Sequence, residues 1–384
     1  MQPKEYHYTE QSYRMSRWIL LLLAMAVVMI SLNMKPLISK ILFGLPIVLS
    51  GILGFAGTYL ILKNPYGPSD PVRKVVRENF DLGCRYPFQY LGDLVSDIAR
   101  KEEVPESSIV ITGGSTEGLK ATGLVYGLEG GEIVAADPTF QALLRYGEYF
   151  GAYVHRVPLD DSLTHDLEAM ERRITGKTRL VFICNPNNPS GTLLEPGKLR
   201  DFCASVAGRC VVFSDEAYYD YITEPDYPSM VELVRDNYNV IVSKTFSKVY
   251  GLAGMRIGYL IARPDIAQRL RQSLMANTNT LAILAARQAL KDTDFYKFSL
   301  AQNEKCKQWI YGELDQLGLP YIRSHTNFVF FKSGVPIREL NQKMAAEQVQ
   351  IGRPFPPLLD WARISTGTFE EVQAFTRALK KVLA

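Results

Sequence analysis

The stretch SKTFSKVYGLAGMRIGY, residues 243–259, holds two lysines, Lys244 and Lys248, and an arginine, Arg256, eight positions after the second. Lys248 follows the C-terminal end of a strand-like run and precedes a glycine-rich turn, with hydroxyls close by at Thr245 and Ser247. A lysine held in such a place can shed its proton and attack a carbonyl carbon, forming a Schiff base. The carbonyl compound then needs an anionic handle. Arg256, Thr245 and Ser247 offer one fixed charge and two hydroxyl donors, a cradle suited to a phosphate. Lys244 lacks this arrangement and reads as a surface residue.

A phosphate-bearing aldehyde held by a lysine amine is pyridoxal 5′-phosphate, and that cofactor has further requirements. Its pyridine nitrogen must stay protonated for the ring to accept electrons, which calls for a carboxylate. Asp215, late in the run CVVFSDEAY, is placed for that. An aspartate at a strand end is more often a turn-former, so its position counts only in company. The phenolic oxygen needs neutral donors, for which Tyr218 and Asn188 (in NPNNPSGT) are candidates. The ring face needs an aromatic cover, and Phe140 in DPTF follows another strand end. The phosphate also favours the unpaired N–H groups of a helix start. GGSTEGLKATGLV, residues 113–125, is a glycine-rich strand-to-helix turn of that kind. The order G-x-G-x-x-G is absent from it, which counts against a dinucleotide-binding dehydrogenase.

These residues need strand ends to hold them, and the chain supplies seven strand-like runs: 108–112, 132–138, 153–159, 178–186, 210–218, 239–246 and 256–262. Several are apolar almost throughout, as strands buried on both faces of a parallel sheet must be. Helical patterns separate most of them, so the class is α/β with a doubly wound sheet, whose ligands bind at the carboxyl ends of the strands. From about residue 280 the texture shifts to a smaller α+β domain with strand-like HTNFVFFKS, EQVQIGRPF and WARISTGT. Its last helix opens on the capping-box spacing Thr368–Glu371. The expected division is a tail over 1–17, a hydrophobic segment over 18–62, an arm over 63–84, a large domain over 85–280 and a small one over 281–384.

The formal charge of +3 comes from scattered lysines and arginines with no basic run, which excludes a dedicated nucleic-acid binder. Five cysteines without C-x-x-C or zinc spacing read as reduced thiols, so no metal is expected. The segment Ile41–Leu62 carries no charge over 22 residues and as a helix would reach roughly 33 Å, enough to cross a bilayer core. With Trp18–Leu32 it predicts a membrane anchor of one or two helices. Lysines and arginines flanking both ends place the body on the cytoplasmic side.

The chain resembles the fold-type I pyridoxal-phosphate enzymes of the class I/II aminotransferases and, within them, is most similar to the histidinol-phosphate aminotransferase family. The stretches that carry the likeness are NPYGPS, RYP, GGSTEG, DPTF, NPNNPSGT, SDEAYYDY, SKTFSKVYGLAGMRIGY, TNFVFF and IGRPFPPLLDWARISTGT, in family order across residues 64–384. The resemblance implies a large domain with a mostly parallel seven-stranded sheet, a small C-terminal domain and transfer of an amino group between an amino donor and a 2-oxo acid. It implies Lys248 as the Schiff-base lysine and proton shuttle, Asp215 as the pyridinium partner, Tyr218 and Asn188 as phenolate donors and Phe140 as the stacking ring. Ser115 and Thr116 fall on the phosphate-binding helix start, with Thr245, Ser247 and Arg256 as further phosphate ligands. Arg363 matches the arginine that grips the substrate carboxylate, and Arg353 falls where the family can place a base near a substrate phosphate. Tyr86 matches a tyrosine that reaches into the partner subunit's site, so a homodimer is implied. One departure is Leu62-Lys63, which stands where the family usually has Asn-Glu and alters the arm over the substrate side.

Two rivals share these residues. A decarboxylase, lyase or epimerase on the same scaffold, of the threonine-phosphate decarboxylase type, differs only in which Cα bond stands perpendicular to the ring. A membrane protein with a catalytically dead body is opposed by the intact Lys248, Asp215, Asn188, Tyr218 and Arg256.

Overall fold

The computed structural model of the chain describes Thr58, Tyr59 and residues 64–384. In chain order the strands are β1 (Thr58–Tyr59), β2 (Ile109–Thr112), β3 (Glu132–Asp137), β4 (Tyr153–Pro158), β5 (Thr178–Cys184) and β6 (Val211–Asp215). There follow β7 (Val240–Thr245), β8 (Gly258–Ala262), β9 (Tyr321–Ile322), β10 (Phe328–Lys332), β11 (Val349–Gln350) and β12 (Trp361–Ser365). All seven runs expected of the large sheet are in it, in the order β2-β8-β7-β6-β5-β3-β4. The sheet is mostly parallel, and β8 alone runs against both of its neighbours.

Strands buried on both sides must be apolar at successive positions, and these are. Val134, Val181, Val212 and Val242 face one cluster, which also holds Leu199 and Val206 of the helix Pro196–Ala207 and Ala282, Ile283 and Ala286 of the helix Thr280–Lys291. Ile133, Leu180, Phe213, Ile241 and Leu260 face the other, against Leu119 of the helix Ser115–Gly127 and Leu143 of the helix Ala142–Tyr149. Each fully buried side chain of this size stabilises the fold by roughly 1.5–3 kcal/mol before chain entropy is set against it.

A third cluster is built on β10, the centre of the antiparallel sheet β12-β10-β9. Alternation along β10 sends Val329 and Phe331 into this cluster and Phe328 into the first. The helix Phe369–Leu383 closes it and starts on the capping box read from the sequence: the Thr368 hydroxyl accepts from Glu371 N–H while the Glu371 carboxylate accepts from Thr368 N–H. The helix Thr293–Gln316 serves two clusters, with Tyr296 and Leu300 against the first and Cys306, Ile310 and Leu314 in the third.

The start of the arm is tied to the turn after Lys248. The Asn64 amide donates to the Val249 carbonyl and the Ser299 hydroxyl, each at 2.8 Å. At the crossing of the two segments a Cβ on Gly67 would lie 2.6 Å from the Gly251 Cα, so only bare backbone fits there.

A helix unbroken to Leu62 is not what forms. Thr58 and Tyr59 are extended and pair in parallel with Val349 and Gln350, in keeping with the strand preference of β-branched and aromatic residues. The remainder of the expected anchor lies outside the described residues. Among the described residues no helix is long and apolar enough to cross a membrane.

Candidate active site

Asn188, then Asp215 with Tyr218, and Thr245 with Ser247 and Lys248, lie at or just after the ends of β5, β6 and β7, which are neighbours in the sheet. Asp215 is the last residue of β6 and pairs across the ladder with Ser243 of β7. It is 2% exposed, and burial pushes its carboxyl up to about 7 although the Ala217 N–H and the Lys248 ammonium pull the other way. Its Oδ1 is buried with no hydrogen-bond partner. A lone buried acceptor of this kind costs free energy until a donor arrives.

Burial pushes the Lys248 amine down to about 8, helped by the Arg363 charge and opposed by Asp215. A small fraction of the amine is thus unprotonated at neutral pH, as a nucleophile requires. Its Nζ lies 5.1 Å from the centroid of the Tyr218 ring.

Tyr218 is the first member of a polar chain. Its hydroxyl accepts from the Asn188 amide nitrogen at 3.2 Å, while the Asn188 oxygen accepts from Arg363 Nη1 at 2.5 Å. Burial holds the phenol well above its usual range, so it keeps its proton. With an acceptor position taken by Asn188, that proton is directed elsewhere, as a neutral donor. The Arg363 guanidinium lies 5.2 Å from the ring centroid of Phe328 and 4.8 Å from that of Phe355. Burial lowers it to about 10, so it is charged at neutral pH.

At the other end, Gly114 precedes the helix Ser115–Gly127 with φ +84°, a left-handed conformation suited to glycine. A Cβ there would lie 2.5 Å from Arg256 Nη2, so the glycine also makes room for the guanidinium. Arg256 donates to the carbonyls of Ala253 at 2.8 Å and Gly113 at 3.3 Å. Gly113, Thr116 and Arg256 share the wall of a cavity of about 270 Å³ with Lys120 and Tyr146. Thr245 and Thr112 flank Gly258 across the ladders, and a Cβ on Gly258 would lie 2.8 Å from Ser115 N, so Thr245 stands beside the helix start. The Thr245 hydroxyl donates to the Ser247 hydroxyl at 3.0 Å. Phe140, half-buried, packs against the cluster beyond the end of β3.

Residues 88–379 match the family described as aminotransferase class I and II. The chain belongs to the class I and II aminotransferases. A histidinol-phosphate aminotransferase of Moorella thermoacetica is 37% identical over 327 residues, 84% of each chain. One of Caldicellulosiruptor saccharolyticus is 34% identical over 324 residues, 84% of this chain and 90% of the relative. Among solved structures, histidinol-phosphate aminotransferase of Sinorhizobium meliloti in complex with pyridoxal 5′-phosphate superimposes with a TM-score of 0.79 at 26% identity, covering 84% of this chain and 89% of that one. The protein is a pyridoxal-phosphate-dependent aminotransferase, and the decarboxylase alternative is not favoured.

Around Tyr218 and Arg363 lie residues the sequence did not single out. Phe328 meets the Tyr218 ring edge-on at 5.4 Å and, with Phe355, flanks Arg363. Both lie in stretches already noted, TNFVFF and IGRPFPP, but a Phe in an apolar run carries no signal of its own. Arg353 packs over the Phe355 ring at 4.4 Å and is held below its usual range by burial and by the neighbouring Arg145, a charge that nothing in the sequence tied to this site. Tyr86 is 73% exposed and stacks on Phe88 at 5.8 Å, lining a groove with Arg85, Pro87 and residues 276–280.

Lys244 is not a surface residue. Its side chain is 12% exposed, 2.8 Å from the Glu102 carboxylate and 3.7 Å from that of Glu216. The charge lies in from the surface because two carboxylates meet it there, one of them from the distant helix Phe88–Glu102.

Proposed function

We propose that the aminotransferase acts on an amino compound with an anionic far end, of which histidinol phosphate is the favoured case, and passes the amino group to a 2-oxo acid. The observation that carries this reading is the gathering of cations beyond Asn188: Arg363, bonded to Asn188, and Arg353 pack on the same Phe355 ring at 4.8 and 4.4 Å from its centroid, and Arg145 is near enough to hold Arg353 down. The named relatives bear histidinol phosphate in their own descriptions.

The residues fit the cofactor. The unpartnered Oδ1 of Asp215 is an acceptor waiting for the ring N–H, and the low-lying Lys248 amine suits capture of an aldehyde. Ser115, Thr116, Thr245, Ser247 and Arg256 would hold the phosphate, and Phe140 would cover the ring. When bound, pyridoxal phosphate supplies the electron-accepting ring that lets a Cα–H bond break heterolytically. Lys248 is our candidate to carry that proton. Its neighbours keep the amine close to neutral pH in acidity, where a group both takes and returns a proton well. Tyr218 and Asn188 would donate to the phenolic oxygen. Arg363 would fork onto the substrate carboxylate, an arrangement worth about 1.5–3 kcal/mol per charged hydrogen bond.

Tyr86 would act from a second copy of the chain, which makes the working unit a homodimer. The exposed stack of Tyr86 on Phe88 supports this. An arm over 63–84, a large domain over 85–280 and a small domain over 281–384 go with this reading, supported by the separate cluster on β10. A cytoplasmic body anchored through residues 18–62, shortened at its end by β1, is tested by whether the full chain sediments with membranes while residues 58–384 stay soluble.

The substrate assignment is tested by following conversion of the bound cofactor to its amine form with histidinol phosphate and with histidinol. Loss of the phosphate should lower kcat/KM on the order of 10–100-fold. Equal values for the two would overturn the anionic far end.

A further inference from the structure

We propose that Lys244 is a positioning residue for Asp215, acting through Glu216, so that the second lysine of the pair aims the carboxylate that meets the cofactor ring. This rests on the reading of Asp215 as the partner of the ring nitrogen.

Side chains alternate along a strand, so Lys244 leaves β7 on the face opposite Ser243 and Thr245. Ser243 is the ladder partner of Asp215, and its carbonyl accepts from Glu216 N–H at 2.9 Å. The peptide between Asp215 and Glu216 is therefore fixed by the backbone of the residue just before Lys244. The Glu216 side chain then fixes it from the other side. Its carboxylate accepts from the Ser229 hydroxyl at 2.6 Å and from Met230 N–H at 2.8 Å, and it faces Lys244 Nζ at 3.7 Å. Lys244 is in turn held by Glu102 at 2.8 Å and lies 4.8 Å from the Tyr219 ring centroid. The other Glu102 oxygen accepts from Tyr259 at 2.8 Å, with Lys101 at 3.6 Å, and Arg235 donates to the Glu102 carbonyl.

An ion cluster this deep is poorly explained by stability, because apolar replacements of buried pairs are often neutral or stabilising. What the cluster does supply is direction. Two elements, β7 and the turn at Ser229–Met230, meet the residue after Asp215, and the helix Phe88–Glu102 holds Lys244 against it. A carboxylate with one unpartnered oxygen has to be aimed within tenths of an ångström to meet a ring N–H.

The test uses the purified holoenzyme and three variants, Lys244→Met, Lys244→Arg and Glu216→Gln, beside Asp215→Asn. Cofactor affinity is read by equilibrium dialysis, ring orientation by visible circular dichroism of the bound cofactor, and folding by the melting temperature of the cofactor-free protein. Lys244→Met should weaken cofactor binding on the order of tenfold and diminish the dichroic band, and Lys244→Arg should restore most of both. Lower kcat with KM for the amino donor unchanged is expected of the same variant. Glu216→Gln can still accept from Met230 N–H, and its amide N–H can donate to the Ser229 oxygen in reverse of the present bond, while the charge that Lys244 engages is removed. It should reproduce the loss even if Lys244→Met fails to fold. If Lys244→Met or Glu216→Gln lowers only the melting temperature and leaves affinity and dichroism as in wild type, the proposal is wrong. If Asp215→Asn also leaves both unchanged, the fault lies in the reading of Asp215 instead.

Discussion

In the cofactor-free protein Asp215 and Lys248 are both shifted towards their uncharged forms, and each shift leaves a mark on stability. Asp215 binds its proton more tightly folded than unfolded, between its ordinary value of 3.8 and about 7. Its contribution is full below that window and is lost as pH rises through it. Lys248 is lowered from 10.5 to about 8, so its contribution is present above the window and is lost as pH falls through it. Asp215→Asn should therefore gain stability over wild type, by up to a few kcal/mol, as pH rises across the acid window, with little further change above it. Melting temperatures of the two cofactor-free proteins across that range check this, and a constant difference would contradict it. Lys248→Ala should lower turnover on the order of 10²–10⁴-fold. It should also leave no cofactor on the chain after borohydride reduction, as read by mass spectrometry; retained mass would reject the lysine assignment.

At the scale of elements, the proposed phosphate cradle depends on a glycine as much as on an arginine. Gly114→Ala would put a methyl group against the Arg256 guanidinium at a left-handed φ, so cofactor affinity should fall about tenfold. Titration of the cofactor-free variant with pyridoxal phosphate measures it, and unchanged affinity would show that the cradle lies elsewhere. The seven strands were legible because parallel strands buried on both faces need near-continuous apolar runs. Asp215 and Lys248 were legible because they punctuate two of those runs. Lys244 was not, because what buries it is Glu102, 142 residues earlier in the chain. β1 was not, because Thr58 and Tyr59 are extended by a partner strand some 290 residues away, and local apolarity alone favoured a helix.

For the whole molecule, the decisive question is whether Tyr86 serves its own subunit or another. If it acts across an interface, mixing Lys248→Ala with Tyr86→Ala subunits under exchange conditions should restore activity. Half of the dimers would be mixed and one site in each intact, so roughly a quarter of all sites should work. No recovery despite mixed dimers would place Tyr86 in the site of its own subunit. Arg353 and Arg363 drew attention through the motifs around them, whereas Arg145, on the helix Ala142–Tyr149, joins Arg353 only through the fold. Asn188 has a consequence of its own. One amide touches the phenol on one side and the guanidinium on the other, so whatever draws on Arg363 is felt at Tyr218 through a single plane. With the roles proposed for Tyr218 and Arg363, a change at that position will not read out as purely cofactor or purely substrate; it speaks for both.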